Sequence, residues 1–383
     1  MAKLGEIAII QSGGTPARSI AKYWNGGMIP WVKISDIKSK YTNETEEKIT
    51  EIGLENSSAK IFHKGTILYT IFATLGETTI LNIDAATNQA IAGISLKNDN
   101  ILLEYLYYYL IAQKEYVQRI GRGVAQNNIN MKILRDFDVP VPPRNEQFRI
   151  TDKLNRVDNL IHLRSQQIAK LDELVKARFV ELFGDPVSNP KHWKTAFLLD
   201  IGYCKNGMNF HKGDSGVDIH CLGVGDFKNR TMIQNVEDLP FVSLNELPDP
   251  EYLLRDNDII FVRSNGNKEL VGRCLAIYPG SIPVTYSGFC IRYRLTSTNI
   301  DTPYLLQVLK TDSIRKKMTG RGANIQNLNQ QTLSQLLIPI PPLSLQNEFA
   351  AFVERVDQQK QTVQQSLDKL ELMKKALMQE YFG

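Results

Sequence analysis

The 383-residue chain carries 43% apolar and 22% charged residues, with a formal net charge of +4. That length suits two ordinary domains with full cores, and that composition suits a globular protein. The charge is too small to argue for a polyanion partner unless Lys and Arg gather on one face; no apolar run reaches a membrane span, and the opening MAKLGEIAII lacks a cleavable signal pattern.

From the N-terminus, Leu4-Gly5-Glu6-Ile7 leads to Ser12-Gly13-Gly14-Thr15-Pro16 and then to Ile29-Pro30-Trp31-Val32-Lys33-Ile34-Ser35-Asp36. Short apolar runs such as 67–71, set between Gly, Asn and Asp, predict strands. A helix is expected over 102–119, and its apolar, tyrosine-rich part at 105–112 reads as buried. Gly121-Arg122-Gly123 follows, with Gln126, Asn127 and Asn128, and then Pro140, Pro142 and Pro143. Beyond them lies a stretch of about forty residues without Pro or Gly, ended by Gly184. Ile150, Leu154, Val157, Ile161, Ile168, Leu171, Val175 and Leu182 recur there at steps of three and four, a heptad seam interrupted at Arg164.

The same order then returns. Leu198-Leu199-Asp200-Ile201 echoes the opening, Gly207 falls opposite Gly13, Gly225-Asp226-Phe227-Lys228 echoes 35–38, and the run 256–261 echoes 64–69. Strands are expected near 259–263 and a helix over 303–317, with Pro303 in its first turn. From Gly320 to Gly383 the match to Gly121–Gly184 is gapless, with roughly a third of positions identical. Pro339, Pro341 and Pro342 repeat the prolines, Gln346 repeats Gln147, and Arg355-Val356-Asp357 repeats Arg156-Val157-Asp158. The second seam is Phe349, Val353, Val356, Val363, Leu367, Leu370, Leu377 and Tyr381, with breaks at Lys360 and Lys374. At 1.5 Å per residue each helix is about 60 Å long and cannot bury its seam on one small domain; the nearest partner is the other copy. Because the chain must return, the helices are expected to run antiparallel, with a domain near each end, an approximate two-fold inside one chain and Gly383 near Met1. An ordinary amphipathic core helix is the competing reading.

This layout resembles the specificity subunits of type I restriction–modification systems. The resemblance rests on Leu4-Gly5-Glu6-Ile7 with 12–16, on 29–36, and on the repeated Pro-x-Pro-Pro, Gln and long helix closing in Phe183-Gly184 and Phe382-Gly383. It covers nearly the whole chain. One departure is that the first domain begins almost at residue 1. The resemblance implies an α+β chain: two mixed α/β target-recognition domains separated by two long antiparallel helices forming a coiled coil, with internal pseudo-two-fold, cyclic symmetry. The expected limits are 1–143 and 185–342 for the domains, and 144–184 and 343–383 for the helices. It further implies that each domain reads one half of a bipartite DNA site, that the helices act as spacer and ruler, and that two DNA adenine methyltransferase subunits dock, with restriction subunits joining through them. A cytoplasmic location is expected, and no cofactor.

A DNA reader needs phosphate contacts for affinity and base contacts for choice. Arg matches guanine, and Asn or Gln matches adenine, in the major groove. Arg263, Asn265, Asn267 and Lys268 offer these chemistries in one loop that differs between the copies, as a specificity element should. Arg122, Gln126 and Asn127, and their counterparts Arg321, Asn324 and Gln326, offer them in a shared motif. Since both copies keep that motif, a capping turn in the common scaffold competes with base contact there. Thr15, Arg18, Lys22 and Lys33 form a third set, and Lys212 is added in the second copy. Trp31 and Trp193 read as core aromatics rather than base-stacking platforms. Two domains related by a two-fold are expected to read different half-sites about one helical turn apart.

Signs of catalysis are wanting. There is no phosphate-binding GxxxxGK[ST] and no glycine-rich methyl-donor loop; Asn189-Pro190-Lys191-His192 lacks the second proline and the aromatic of an adenine methyltransferase motif. No acid–lysine cluster marks a nuclease. The histidines at 63, 162, 192, 211 and 220 are scattered. Cys204, His211, His220 and Cys221 are the set nearest to a zinc site, but their spacing matches no familiar pattern. The four cysteines read as reduced core thiols. A non-catalytic DNA-recognition role is favoured over a stand-alone modification enzyme and over a coiled-coil adaptor that binds protein only.

Overall fold

The computed structural model describes residues 1–121, 128–211, 213–227, 230–319 and 327–383. The chain divides into two compact units, Met1–Ser165 with Gln365–Gly383, and Gln166–Gln364. N-terminal and C-terminal residues thus share the first unit, and Leu4 and Phe382 lie in one core there.

Among the described residues, the first unit holds a five-stranded sheet in the order Ala8–Ser12, Ile91–Leu96, Ile67–Thr70, Thr78–Leu81, Tyr41–Thr42. The second unit repeats it as Gly202–Asn206, Cys290–Leu295, Asp258–Val262, Cys274–Ile277, Met232–Ile233. In both, the final edge strand pairs parallel and the rest antiparallel. A short antiparallel ribbon also recurs, Ala2–Lys3 with Asp138–Val139 and Lys194–Phe197 with Leu337–Ile340. Each unit adds a smaller sheet. The first orders Glu47–Ile49, Ile29–Val32, Ala85–Thr87 and Ile61–Phe62; the second orders Phe241–Leu244, Val217–Leu222 and Val284–Tyr286. The faces beneath these smaller sheets are built differently. Gly93 leaves room for the Phe62 ring, whereas Arg292, on the corresponding strand, is fully buried and donates from Nη1 to the Glu251 carbonyl at 2.8 Å.

The expected helix over 102–119 is two, Leu103–Ala112 and Lys114–Gly121, and its counterpart is Thr302–Lys310 and Asp312–Thr319. In the second copy the break is Thr311. Its backbone is extended (ψ 144°) and its hydroxyl donates to the Val308 carbonyl at 2.7 Å, a local bond that competes with the helix. Tyr105 through Leu110 are buried, as the apolar stretch predicted.

The two long helices are Arg144–Phe183 and Leu343–Phe382. All of the predicted seam positions are buried or half-buried, including the polar breaks Arg164, Lys360 and Lys374. In the first unit Lys153 donates to the Tyr381 hydroxyl at 3.0 Å, and Lys374 pairs with Asp158 at 2.7 Å. In the second, Arg178 pairs with Glu348 and Lys360 with Asp172, both at 2.6 Å. Within each unit the partner number falls as the first helix advances, so the segments run antiparallel. The ion pairs explain Lys360 and Lys374 in the seam: they tie one register at some cost in apolar contact. Near the helix ends the seam passes into domain cores. Phe179 and Phe183 pack with Tyr304 and Phe349, and Phe382 packs on Tyr105 and Tyr109. Gly184 ends the first helix at φ +77°, where a side chain would strain the backbone and strike Pro190.

A buried glutamine joins each helix to its domain. Gln147 accepts from the Leu102 amide at 2.9 Å and donates to the Asn100 and Pro142 carbonyls at 3.0 and 2.9 Å. Gln346 makes the same bonds to Asp301, Asn299 and Pro341 at 2.9, 3.0 and 2.8 Å. Both side chains are fully buried. In the first unit a polar network adds to the joint. Glu104 receives Lys40 at 2.8 Å, Tyr41 at 2.6 Å and Asn155 at 2.6 Å. Burial works against ionisation of Glu104, but these donors outweigh it and hold the carboxyl below its ordinary value.

All four cysteines are unpaired, and burial pushes the Cys274 thiol up to about 11 and the Cys221 thiol up to about 12. His220 is occupied by the Leu239 carbonyl at 2.9 Å and stacks on Phe241. Among the described residues no His, Cys, Asp and Glu cluster is suited to a metal, and no helix is long and apolar enough to cross a membrane.

Two outcomes test this account. Gln147→Leu and Gln346→Leu each remove three hydrogen bonds of a fully buried amide to the domain backbone, so either is expected to cost roughly 3 kcal/mol in a denaturant melt. Glu104→Gln is expected to lower the melting temperature above pH 4.5, the ordinary glutamate value. Because the folded carboxyl is depressed, its stabilisation is present above that value and fades as pH falls through the depressed one. The gap between variant and wild type should therefore close in acid.

Candidate nucleic-acid interface

Both units present the same backbone frame at one end of the five-stranded sheet. In the first, the Gly13 amide donates to the Ile91 carbonyl at 3.0 Å, Ile71 to Ala90 at 2.8 Å and Ile129 to Ile71 at 3.1 Å. In the second, Gly207 donates to Cys290 at 3.0 Å, Arg263 to Phe289 at 2.8 Å and Leu328 to Arg263 at 2.7 Å. Phe72 bridges to Asn128 and, correspondingly, Ser264 to Asn327. The glycine at the head of each frame is required by space: a Cβ on Gly13 would strike Thr87 and Asn88, and one on Gly207 would strike Ser287.

On this frame the two copies carry different side chains. In the second unit Arg263 is half-buried and donates from Nη1 to the Gly288 carbonyl at 3.3 Å. Asn265 accepts from the Asn267 amide at 2.8 Å, and Asn267 from the Glu269 amide at 3.0 Å. Their side-chain oxygens therefore shape the loop. Lys268 is exposed and engaged within the protein. Phe289 stands beside Arg263 on the same rim, 62% exposed.

In the first unit the Thr15 hydroxyl donates to Gln89, next to the Ala90–Ile71 bond. Arg18 lies 3.7 Å over the Trp24 ring and pairs with Glu47. Lys33 pairs with Glu46 at 2.8 Å and Glu47 at 3.0 Å. The hydrogen bond from Arg18, with Lys33 behind it, holds the Glu47 carboxyl below its usual range. Two of the expected phosphate-binding cations are thus matched by two carboxylates. Lys22 is exposed, its ammonium 5.8 Å from the Tyr23 ring centre. Trp31 is buried and donates to the Gly14 carbonyl at 3.1 Å, tying the core to the loop. Trp193 is half-buried and donates to the Phe183 carbonyl at 3.2 Å.

Arg122, Gln126, Asn127, Lys212, Arg321, Asn324 and Gln326 lie outside the described residues. The described residues Asn128 and Asn327, which directly follow two of these segments, sit on the rim. The structure therefore brings Asn128 to Phe72 and Asn327 to Ser264. Sequence reasoning missed Phe72, Gln89 and Phe289 on the rim, and Glu46 and Glu47 as the partners of Arg18 and Lys33. Only the pairing of Trp31 with Glu47 across two strands places those acids, and nothing local signals it.

A family model described as type I restriction modification DNA specificity domain matches residues 1–173 and 190–372. The chain is 31% identical over 227 residues to the type I restriction enzyme MjaIX specificity subunit of Methanocaldococcus jannaschii, covering 54% of this chain and 52% of that protein. It is 27% identical over 182 residues to the EcoR124I/EcoR124II specificity subunit of Escherichia coli, covering 46% and 45%. The chain thus spans about half the length of these two relatives. Among solved structures, a type I restriction–modification system S subunit from M. genitalium superposes with a TM-score of 0.55 at 17% identity, over 100% of this chain and 95% of that one, which speaks for the fold. With both repeated halves matched by one family model, the chain belongs to the type I restriction–modification DNA specificity domain family.

Proposed function

We propose that the chain is the non-catalytic DNA-specificity subunit of a type I restriction–modification complex working in the cytoplasm. The mixed domains, 1–143 and 185–342, each read one half of an asymmetric bipartite site. The helices, 144–184 and 343–383, set the spacer and dock two methylation subunits, through which restriction subunits join. One observation carries this reading: a single backbone frame appears twice and bears different side chains each time. A scaffold that holds its main chain and varies its surface suits two readers of different sequences.

Arg263, Asn265, Asn267 and Lys268 are the leading contacts of the second reader. Thr15, Arg18, Lys22 and Lys33 serve the first, Arg18 and Lys33 exchanging Glu46 and Glu47 for phosphates. Arg122, Gln126, Asn127, Lys212, Arg321, Asn324 and Gln326 complete the set, with the two Gly-Arg-Gly segments gripping backbone rather than bases. The names of the relatives, each a specificity subunit, support the role.

Duplex binding by the chain with its methylation subunits is expected to fall steeply as salt rises. A flat response, or no binding at all, leaves the protein-only adaptor. Crosslinking of labelled S-adenosylmethionine to the isolated chain would instead support a stand-alone enzyme. Inserting one heptad into each long helix is expected to lengthen the unread spacer of the methylated site, measured by single-molecule methylome sequencing. An unchanged spacer removes the ruler role.

A further inference from the structure

Two aromatic rings on the rims are exposed. Phe289 is 62% and Phe72 39% exposed. The backbone beneath each is tied on both sides. The Phe289 carbonyl accepts from Arg263 at 2.8 Å, and its amide donates to Ser287 Oγ at 3.3 Å. Phe72 bridges to Asn128 and follows Ile71, which is bonded to both Ala90 and Ile129. Each ring is therefore carried on a fixed platform at the edge of a reading surface.

The rings do not occupy equivalent places. The matching bonds align Phe289 with Ala90, and the matching bridges align Phe72 with Ser264. A ring needed to pack the shared frame would recur in both copies, and neither does. Polar groups suited to nucleic acid share each frame with its ring: the Arg263 guanidinium, donating to the Gly288 carbonyl next to Phe289, in one unit, and the Thr15–Gln89 pair, next to the Ala90–Ile71 bond, in the other. An exposed ring flanked by such groups suits base pairs, because an aromatic face accepts a thymine methyl or an unstacked base.

Resting on the reading of the rims as DNA surfaces, we propose that Phe72 and Phe289 are specificity-determining residues, each placing its ring against one base pair of its own domain's half-site. The difference between the copies then has a consequence in sequence space: the apolar contact falls at a different position in each half-site.

The test uses the full chain with its methylation subunits, duplexes with randomised half-sites, and sequencing of the bound fraction. A wild-type complex that binds without selecting any motif removes the DNA-specificity reading itself. Given a wild-type motif, Phe289→Ala is expected to lose preference at one base pair of one half-site by roughly tenfold or more, and Phe72→Ala to do so in the other half-site. The half-site that is still read reports a folded chain. Phe289→Leu and Phe72→Leu, which keep an apolar side chain, are expected to lose less at the same base pair. An unchanged motif overturns the proposal. So does weakening by one factor across all duplexes, and so does loss of all binding by both the alanine and leucine variants.

Discussion

The whole arrangement hangs on a buried amide. Gln147 and Gln346 sit at the first turn of each long helix and use both ends of the side chain on main-chain groups of the domain before it. A hydrophobic residue there would fill the space but orphan the backbone. Glutamine fills it and fixes the angle at which the helix leaves, since an amide bonded on both sides has one orientation. The prolines before it hold the entry turn. Given that joint, the seam positions face inward, and the charged breaks at Lys360 and Lys374 become register pins with Asp172 and Asp158 rather than faults.

A second layer follows from where hydrogen bonding is invested. The rims are tied by main-chain bonds that recur in both units, two of the three at the same lengths, while the side chains above them differ. The interior differs too. Gly93 accommodates a phenylalanine ring where Arg292 occupies the corresponding strand, so the two cores beneath similar sheets are filled by unlike means. Beneath the smaller sheets the common topology rests on the backbone rather than on shared packing, whereas at the helix ends both units set a domain tyrosine against the closing phenylalanine, Tyr304 on Phe183 and Tyr105 on Phe382.

How much of this could be read in the residues depends on the range of the interaction. The helices were legible because heptads are local and the repeat is gapless over 121–184 and 320–383. The faint upstream echoes also mark equivalent places. Leu4 and Leu198 donate to Phe137 and Leu336, each at 2.9 Å, and Asp36 and Asp226 cap the same short turn. The break at Thr311 was missed because it turns on one hydroxyl choosing a carbonyl. The neutralisation of Arg18 and Lys33 was missed because strand register, not sequence proximity, brings Glu46 and Glu47 to them. The rim aromatics were overlooked because a lone phenylalanine in a loop looks like core until its exposure is known.

The tied rims bear on how such a protein changes over generations. Since much of the rim is secured through main-chain bonds, replacing a rim side chain that makes no hydrogen bond of its own removes little that folding needs. Variation at Phe72, Ser264 or Phe289 carries a smaller stability toll than variation in the core, whereas Asn265 and Asn267 hold their loop through side-chain oxygens and Ala73 sits at φ +59°. Gly13 and Gly207, in the same frame, have no such latitude. Tolerance and rigidity thus lie side by side, and new preferences can arise by small steps through chains that all still fold.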